Sequence, residues 1–470
     1  MSRRNQSNNR LSAKTQKRIA GHLEKINLFA AGIDIGSQSH FVAVPVAVPE
    51  ELDDQPVREF SCYTSDLEAM THWLVKLGIT TVVMESTGVY WIPAFEILES
   101  QGLEVKLVNA RHVKNVSGRK SDVLDCQWLL QLHTYGLLGG AFRPDGQVCS
   151  LRAYMRQREN LVRCRAAHIQ HMQKALRQMN LLLDNVVSDI TGKTGMTIIR
   201  AILAGQRDPK ELATHRDKRC QKSEEEIAKS LKGHYRAEHL FALQQAVELY
   251  DTYGEKILAC DAALEKQLEK FDSKIEPAPD DDSGPDQPAK KRKSRSAPSF
   301  DVRSQLNRVS GVDLTDIDGI DENTALKILS EIGLDMSRWP SAKHFASWLG
   351  LCPGTRISGG KVLNRKTKRI PSAAATAFRM AAFTLMNSKS ALGAYCRRMR
   401  SKMGSPKAIT ATAHKLARLV YSMLKHGSSY VDKGQDYYER EYKDRVVKNL
   451  KKKAEDMGFM LVRTEPVANS

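Results

Sequence analysis

The sequence predicts a mixed α/β domain followed by an all-α remainder. Three observations predict it: two apolar runs around a Gly-Ser turn in AAGIDIGSQSHFVAVPVAV from Ala30, a helix-strand alternation after them, and apolar residues recurring every seven positions beyond Leu151. The two runs read as an antiparallel strand pair. A hairpin followed by alternation gives a mixed sheet with helices on its faces.

Residues 1–29 are a basic, Asn/Ser-rich arm with little apolar periodicity, which orders on meeting a partner. The mixed domain, residues 30–145, continues with a helix from Asp66 to Gly78 and a buried strand from Thr80 to Met84. A helix from Ile92 to Ser100, a strand from Leu103 to Val108 and a helical stretch beginning near Ser121 complete it.

Residues 146–271 read as a helical coiled-coil region. Met155, Val162, Ile169, Leu176 and Leu183 are spaced by seven, with Met172, Met179 and Val186 three residues after the last three of them. A second seam runs through Leu243, Tyr250, Ile257, Leu264 and Phe271, and spacing leaves open whether the seams pair with each other or across protomers. Thr191 to Arg236, between them, reads as a polar, irregular insertion.

Residues 272–300, rich in Pro, Asp and Ser and ending in KKRKSRSAPS, cannot bury enough apolar surface to fold and read as a linker. The KKRK run is a charged linker tract in preference to a nuclear localisation patch. Residues 301–432 form a basic helical C-terminal domain, and 433–470 a helical tail. The domain opens at Leu314 to Gly333 with two short helical patterns around Asp318-Gly319. They resemble a helix-hairpin-helix that offers N–H groups to a phosphate, with a plain helix turn as the equal alternative.

The net charge is +18, from 72 Lys and Arg against 54 Asp and Glu. Between Asp335 and Asp432 stand eighteen Lys or Arg and no acid, so a single window carries a charge equal to the whole surplus. A stretch of one sign repels itself unless a polyanion neutralises it, which points to nucleic acid. No run approaches the ~18 uninterrupted apolar residues of a membrane helix. The nearest, Ser372 to Met386, contains Arg379. Eight cysteines without a C-x-x-C pair fit neither a disulfide framework nor a zinc ribbon, and suit a reducing cytoplasm. Cys164, His168 and His171 share a helix face, but no fourth zinc ligand is evident. GKT at Gly192 to Thr194 lacks the earlier glycine of a phosphate-binding loop.

Four acids stand out. Asp34 lies on the first strand, opposite in direction to Ile33 and Ile35; Glu85 ends a later strand; Asp122 and Asp125, three apart, share a helix face. Singly each has a structural explanation, as a helix cap or an ion-pair partner. Together they are hard oxygen donors able to hold two magnesium ions, with manganese as substitute, for in-line phosphoryl displacement. In the basic window, PGTRISGGKVLNRKTKR sets Ser358 before two glycines and between Arg356 and Lys361. A hydroxyl there suits either a surface turn or a nucleophile toward phosphorus. With Arg365, Lys366, Lys368 and Arg369, these cations are the candidate nucleic-acid contacts.

At GIDIGSQSHFVAV, VVMESTGVYW, RKSDVLDCQWL, ASWLGLCPGTRISGGK and AITATAHKLARLVYSMLKHG the chain resembles transposases of insertion-sequence family 110, including its 1111 subgroup. The resemblance spans residues 30 to 145 and 306 to 432. It implies a RuvC-like (RNase H-like) first domain with a DEDD metal set at Asp34, Glu85, Asp122 and Asp125, and Ser358 as the residue that attacks DNA. It further implies a site-specific recombinase acting on element ends and target, a guide noncoding RNA, a dimer or tetramer, and a nucleoid-associated cytoplasmic location. A water-using RuvC-like nuclease or junction resolvase is the rival, and a non-catalytic nucleic-acid scaffold the second.

Overall fold

The computed structural model describes residues 24–45, 56–86, 88–109, 122–275, 296–364, 366–367 and 370–462, and forms two compact units, residues 1–143 and 144–470. The arm up to residue 23, the KKRK tract, Arg365, Lys368, Arg369 and the Arg356 side chain lie outside the described residues.

The first unit is built on a five-stranded sheet of order β3-β2-β1-β4-β5. Its strands are β1 (Ala30–Ile35), β2 (Ser39–Ala43), β3 (Val57–Ser61), β4 (Thr81–Glu85) and β5 (Glu104–Val108). The first three form an antiparallel meander, and β1, β4 and β5 run parallel. Strand β3 is absent from the expectation. Its sequence VREFS sits half-buried at the sheet edge, where Phe60 packs on Trp73 and Arg58 stacks over the same ring at 4.9 Å, so alternation is blurred.

Helices α1 (Thr64–Lys76), α2 (Trp91–Ser100) and α3 (Asp122–Thr134) match the expected positions. Side chains alternate along a strand, so each sheet face has its own core. Ala31, Ile33, Ile35, Val82 and Met84 pack with Leu67, Met70 and Leu74 of α1 and Phe95 and Leu98 of α2. On the opposite face Val83 and Val108 meet Leu129 of α3 and Leu138.

In the second unit the two heptad-bearing segments are 33-residue helices, α4 (Gly146–Gln178) and α8 (Ala237–Glu269). They pair with each other, antiparallel: Gln267 donates to the Gln147 carbonyl at one end, and His168 stacks on Tyr253 further along. Asp145 caps α4 by accepting from the Val148 amide at 2.9 Å. The seams are shorter than their spacing implies. Asn180, in the left-handed region at φ 56°, follows the helix end, Leu183 sits in a 3₁₀ turn and Phe271 lies past α8.

The expected irregular insertion is helical instead: α5 (Lys193–Leu203), α6 (Pro209–Ala213) and α7 (Glu224–Ser230). Ile198, Ile199, Ile202, Leu212, Ile227 and Leu231 share a core with Leu176 and Leu243. Helices α6 and α7, five and seven residues long, are too short to show a period, whereas Ile198, Ile199 and Ile202 of α5 do follow helical spacing within a segment whose overall composition is polar. A capping box of Ser223 and Glu226 fixes the start of α7.

The C-terminal part belongs to the same unit. It contains α9 (Val302–Ser310), α10 (Glu322–Ile332), α11 (Ala342–Trp348), α12 (Ala373–Thr384), α13 (Ala391–Met403), α14 (Ser405–His426) and α15 (Gly434–Asp456). Arg156 grips Glu331 through paired bonds of 2.8 and 2.9 Å, tying α10 to α4. The expected linker ends early: the Ser296 carbonyl accepts from Arg158, the Ser299 amide donates to Asp261, and Phe300 is buried.

Around Asp318-Gly319 only the second expected pattern is a helix, α10; the first is one 3₁₀ turn, Leu314–Asp316. Gly319, at φ 87°, lets this turn lie against α12, since a Cβ would stand 2.7 Å from the Ala381 carbonyl oxygen. Asp321 caps α10 by accepting from the Thr324 amide at 2.8 Å. A carboxylate therefore occupies the position a phosphate would need, which favours the plain-turn alternative.

Candidate active site

Three elements of the first unit position the four acids. In the parallel pairing of β1 with β4, Ile33 lies opposite Met84. One step further along both strands come Asp34 and Glu85, on chains ~4.8 Å apart and pointing to the same face. That face is the one covered by α3, whose first turn carries Asp122 and Asp125.

Helix α3 comes close to β1 because Gly32, two residues before Asp34, has no side chain. A Cβ there would stand 2.5 Å from the Leu130 amide nitrogen. Residues Gly32 and Asp34 share a face, so the approach that the glycine permits also brings the helix acids toward the strand acid.

Asp34 registers this arrangement. It is half-buried, and its carboxyl is pushed up from 3.8 to about 6 by burial and by the charges of Asp122, Asp125 and Glu85, against a smaller stabilisation from the Ile35 amide. Three carboxylates, from β4 and α3, thus disfavour the charge of the fourth on β1. On the buried side of α3, Cys126 has its thiol raised to about 12 by burial and by Asp34. His133, 2% exposed, meets the Thr81 hydroxyl at 2.9 Å and is lowered to about 4 by burial and by the Lys106 charge. Gly32, Thr81 and His133 give no sequence signal of their own, because a glycine or histidine acquires this role only from what packs over it.

The donors suit a hard divalent cation: all four are carboxylates, and their mutual repulsion at Asp34 is what such an ion relieves. Among the described residues no group of three or more is gathered to ligating distance.

Ser358 belongs to the second unit, and sits on a different kind of element. Strands β6 (Arg356–Ser358) and β7 (Lys361–Asn364) make a two-stranded hairpin, with Ser358 opposite Lys361. Gly359 and Gly360 have φ values of 53° and 75°, and positive φ at both central residues is what a tight two-residue turn requires. Ser358 and Lys361 are exposed, as is Lys366, whose amide donates to the Asn364 side chain at 2.8 Å. Among the described residues no hydrogen bond engages the Ser358 hydroxyl. The zinc candidate resolves differently: His168 stacks on Tyr253 at 5.3 Å and meets His171 edge-on, which is ring packing.

Comparison with known proteins finds two family matches along the chain. A family model described as Transposase, the DEDD type of IS110, matches residues 31–181, a span that holds all four acids. A second, described as Transposase IS116/IS110/IS902 family, matches residues 313–397, which include Ser358. The two together cover about half of the chain. An uncharacterized 43.6 kDa protein of insertion element IS110 from Streptomyces coelicolor is 30% identical over 126 residues. That alignment spans 25% of this chain and 29% of the relative's length. No helix among the described residues is long and apolar enough to cross a membrane. With both matches in chain order over the acid-bearing and serine-bearing segments, the protein belongs to the IS110 family of transposases.

Proposed function

We propose that this protein is a DNA transposase that works as a site-specific recombinase of a mobile insertion sequence, cleaving and exchanging strands through a phosphoserine–DNA intermediate. The observation that carries the reading is the convergence of Glu85, Asp122 and Asp125 on Asp34, a concentration of negative charge built from two strand ends and a helix turn. The strand order 3-2-1-4-5, with three antiparallel strands before the parallel pair, supports an RNase H-like, RuvC-like assignment for the unit.

Asp34, Glu85, Asp122 and Asp125 would hold divalent cations, Mg²⁺ or Mn²⁺, which supply charge stabilisation at the entering and leaving oxygens of a phosphoryl transfer. The Ser358 oxygen forms the new bond to phosphorus while the bond to the departing deoxyribose oxygen breaks. The resulting ester conserves the energy of the broken phosphodiester, so strands are rejoined without a nucleotide cofactor. Lys361, beside Ser358 across the hairpin, and Arg356, Arg365, Lys366, Lys368 and Arg369 stabilise the anionic phosphorane and anchor the backbone. Concerted cleavage of several strands calls for a homo-oligomer, and the basic surface accommodates an element-encoded guide RNA as well as DNA.

The test is incubation of the full chain with element-end DNA and Mg²⁺, followed by denaturing electrophoresis for a covalent protein–DNA adduct. The adduct forms with the parent and disappears in Ser358→Ala. Asp34→Asn loses scission in Mg²⁺ and Mn²⁺ alike while still binding DNA. Free ends without any adduct would establish the hydrolytic nuclease in its place.

A further inference from the structure

The β6–β7 hairpin has a second property that the serine chemistry does not use. It carries three apolar side chains in the open: Ile357 is 64% exposed, Val362 42% and Leu363 68%. Ile357 lies opposite Val362 on one face of the ribbon, and Ser358 opposite Lys361 on the other. A register shift between Arg356 and Ile357 leaves Leu363 as the extra residue of a bulge, unpaired in the ladder. The base of the ribbon is tied where Pro353 bridges to Thr367 and the Gly354 amide donates to the Lys366 carbonyl at 3.0 Å. At its tip the two glycines add no side-chain bulk, so the ribbon is thin.

We propose that this hairpin inserts into DNA, with Ile357, Val362 and Leu363 contacting bases that become unstacked beside the phosphate addressed by Ser358. The inference rests on the reading of Ser358 given above. Charge selects the occupant. From Met336 to Val431 the chain has eighteen cations and no carboxylate, and Lys361 and Lys366 flank the apolar residues on the ribbon itself. An apolar surface set among cations complements a polyanion with apolar faces inside it, as a base-paired duplex has, and the serine chemistry places that duplex in DNA. A groove admits a two-stranded ribbon, and branched aliphatic side chains are the type that wedge between base steps. Unstacking next to the scissile phosphate would also give the Ser358 hydroxyl a clear approach to phosphorus, since a kinked backbone opens there.

The experiment uses the full chain, Mg²⁺ and an element-end duplex carrying 2-aminopurine on either side of the cleaved phosphate. Binding of the parent raises the fluorescence several-fold. The double variant Ile357→Ser with Leu363→Ser returns it to nearly that of free duplex and lowers adduct yield at least tenfold. The pair Ile357→Met with Leu363→Met restores both readouts, and matching thermal unfolding curves exclude misfolding. Persistence of the fluorescence rise in the serine pair overturns the proposal, including the case in which that pair instead loses self-association. A parent that forms the adduct without any rise overturns the insertion alone, whereas a parent that shows neither rise nor adduct removes the serine mechanism with it.

Discussion

Gly32 lies directly beneath Leu130: a Cβ on the glycine would stand 2.5 Å from the Leu130 amide nitrogen, and nearer still to the Cys126 carbonyl oxygen. Backbone cannot give way as a flexible side chain can, so Gly32→Ala forces α3 off β1. The expected cost is on the order of 1–3 kcal/mol of stability, the range for overpacking. Because Asp122 and Asp125 ride on the same helix, strand scission falls by far more than stability does. Thermal unfolding and a nicking assay on the same preparation check this; an alanine variant with parental scission would separate the acids from the glycine contact.

Asp34 is destabilising in its ionised state. Its folded value of about 6 lies above the ordinary 3.8, so its contribution to stability is full below pH 3.8 and is lost as pH rises through 6. Without added divalent cations, Asp34→Asn therefore raises stability near neutral pH by roughly 1–2 kcal/mol, after allowance for partial exposure. The same variant should lose strand scission. Denaturant titrations of both proteins at pH 4 and at pH 7.5 should coincide at the lower pH and diverge at the higher.

His133 runs in the opposite sense. A histidine held near 4 in the fold, against 6.5 unfolded, stabilises above pH 6.5, and that stability is lost as pH falls through 4. The full effect is on the order of 3 kcal/mol for a group so buried. His133→Gln keeps a partner for Thr81 and removes this acid sensitivity, so its unfolding free energy should vary less than the parent's between pH 6.5 and 4.

The pair Arg158 and Asp261 is 2% exposed on both sides and joins α4 to α8. Asp261 also accepts from the Ser299 amide, so the returning chain depends on it. Arg158→Met alone leaves a buried carboxylate without its main partner and should cost about 3–5 kcal/mol. Adding Asp261→Leu should recover much of that loss, which a double-mutant cycle by denaturant unfolding measures directly.

Helix α15 has no buried residue. Its hold on the domain includes stacking, with Arg398 of α13 over Tyr442 at 3.9 Å and over Tyr438 at 5.6 Å. Arg398→Ala should release residues 434–456 to proteolysis while the remainder unfolds at the parental temperature. Amide hydrogen exchange over the helix gives a second measure, and unchanged protection there would refute the clasp.

Element type was legible where periodicity was long. The 33-residue helices and the strand-helix alternation announce themselves over many turns, and Asp34 is visible as the polar residue of an otherwise apolar strand. Strand β3 and helices α6 and α7 were hidden for a common reason: in each, a few apolar residues are covered by elements distant in sequence, so their local pattern falls below what spacing can resolve, whereas Ile198, Ile199 and Ile202 of α5 do carry a helical spacing. The linker edges were misjudged similarly, since Ser296 and Ser299 are held by Arg158 and Asp261 from far along the chain.

The sequence by itself determined the charge and its concentration in one window, the order of the strand and helix types, and which residues are acids or hydroxyls. Those are properties of composition and short-range spacing. Tertiary structure alone decided that α4 pairs with α8 and that four carboxylates converge on one sheet face. Each depends on packing between segments tens to hundreds of residues apart, where burial and charge at a site are set by whatever the fold places across from it.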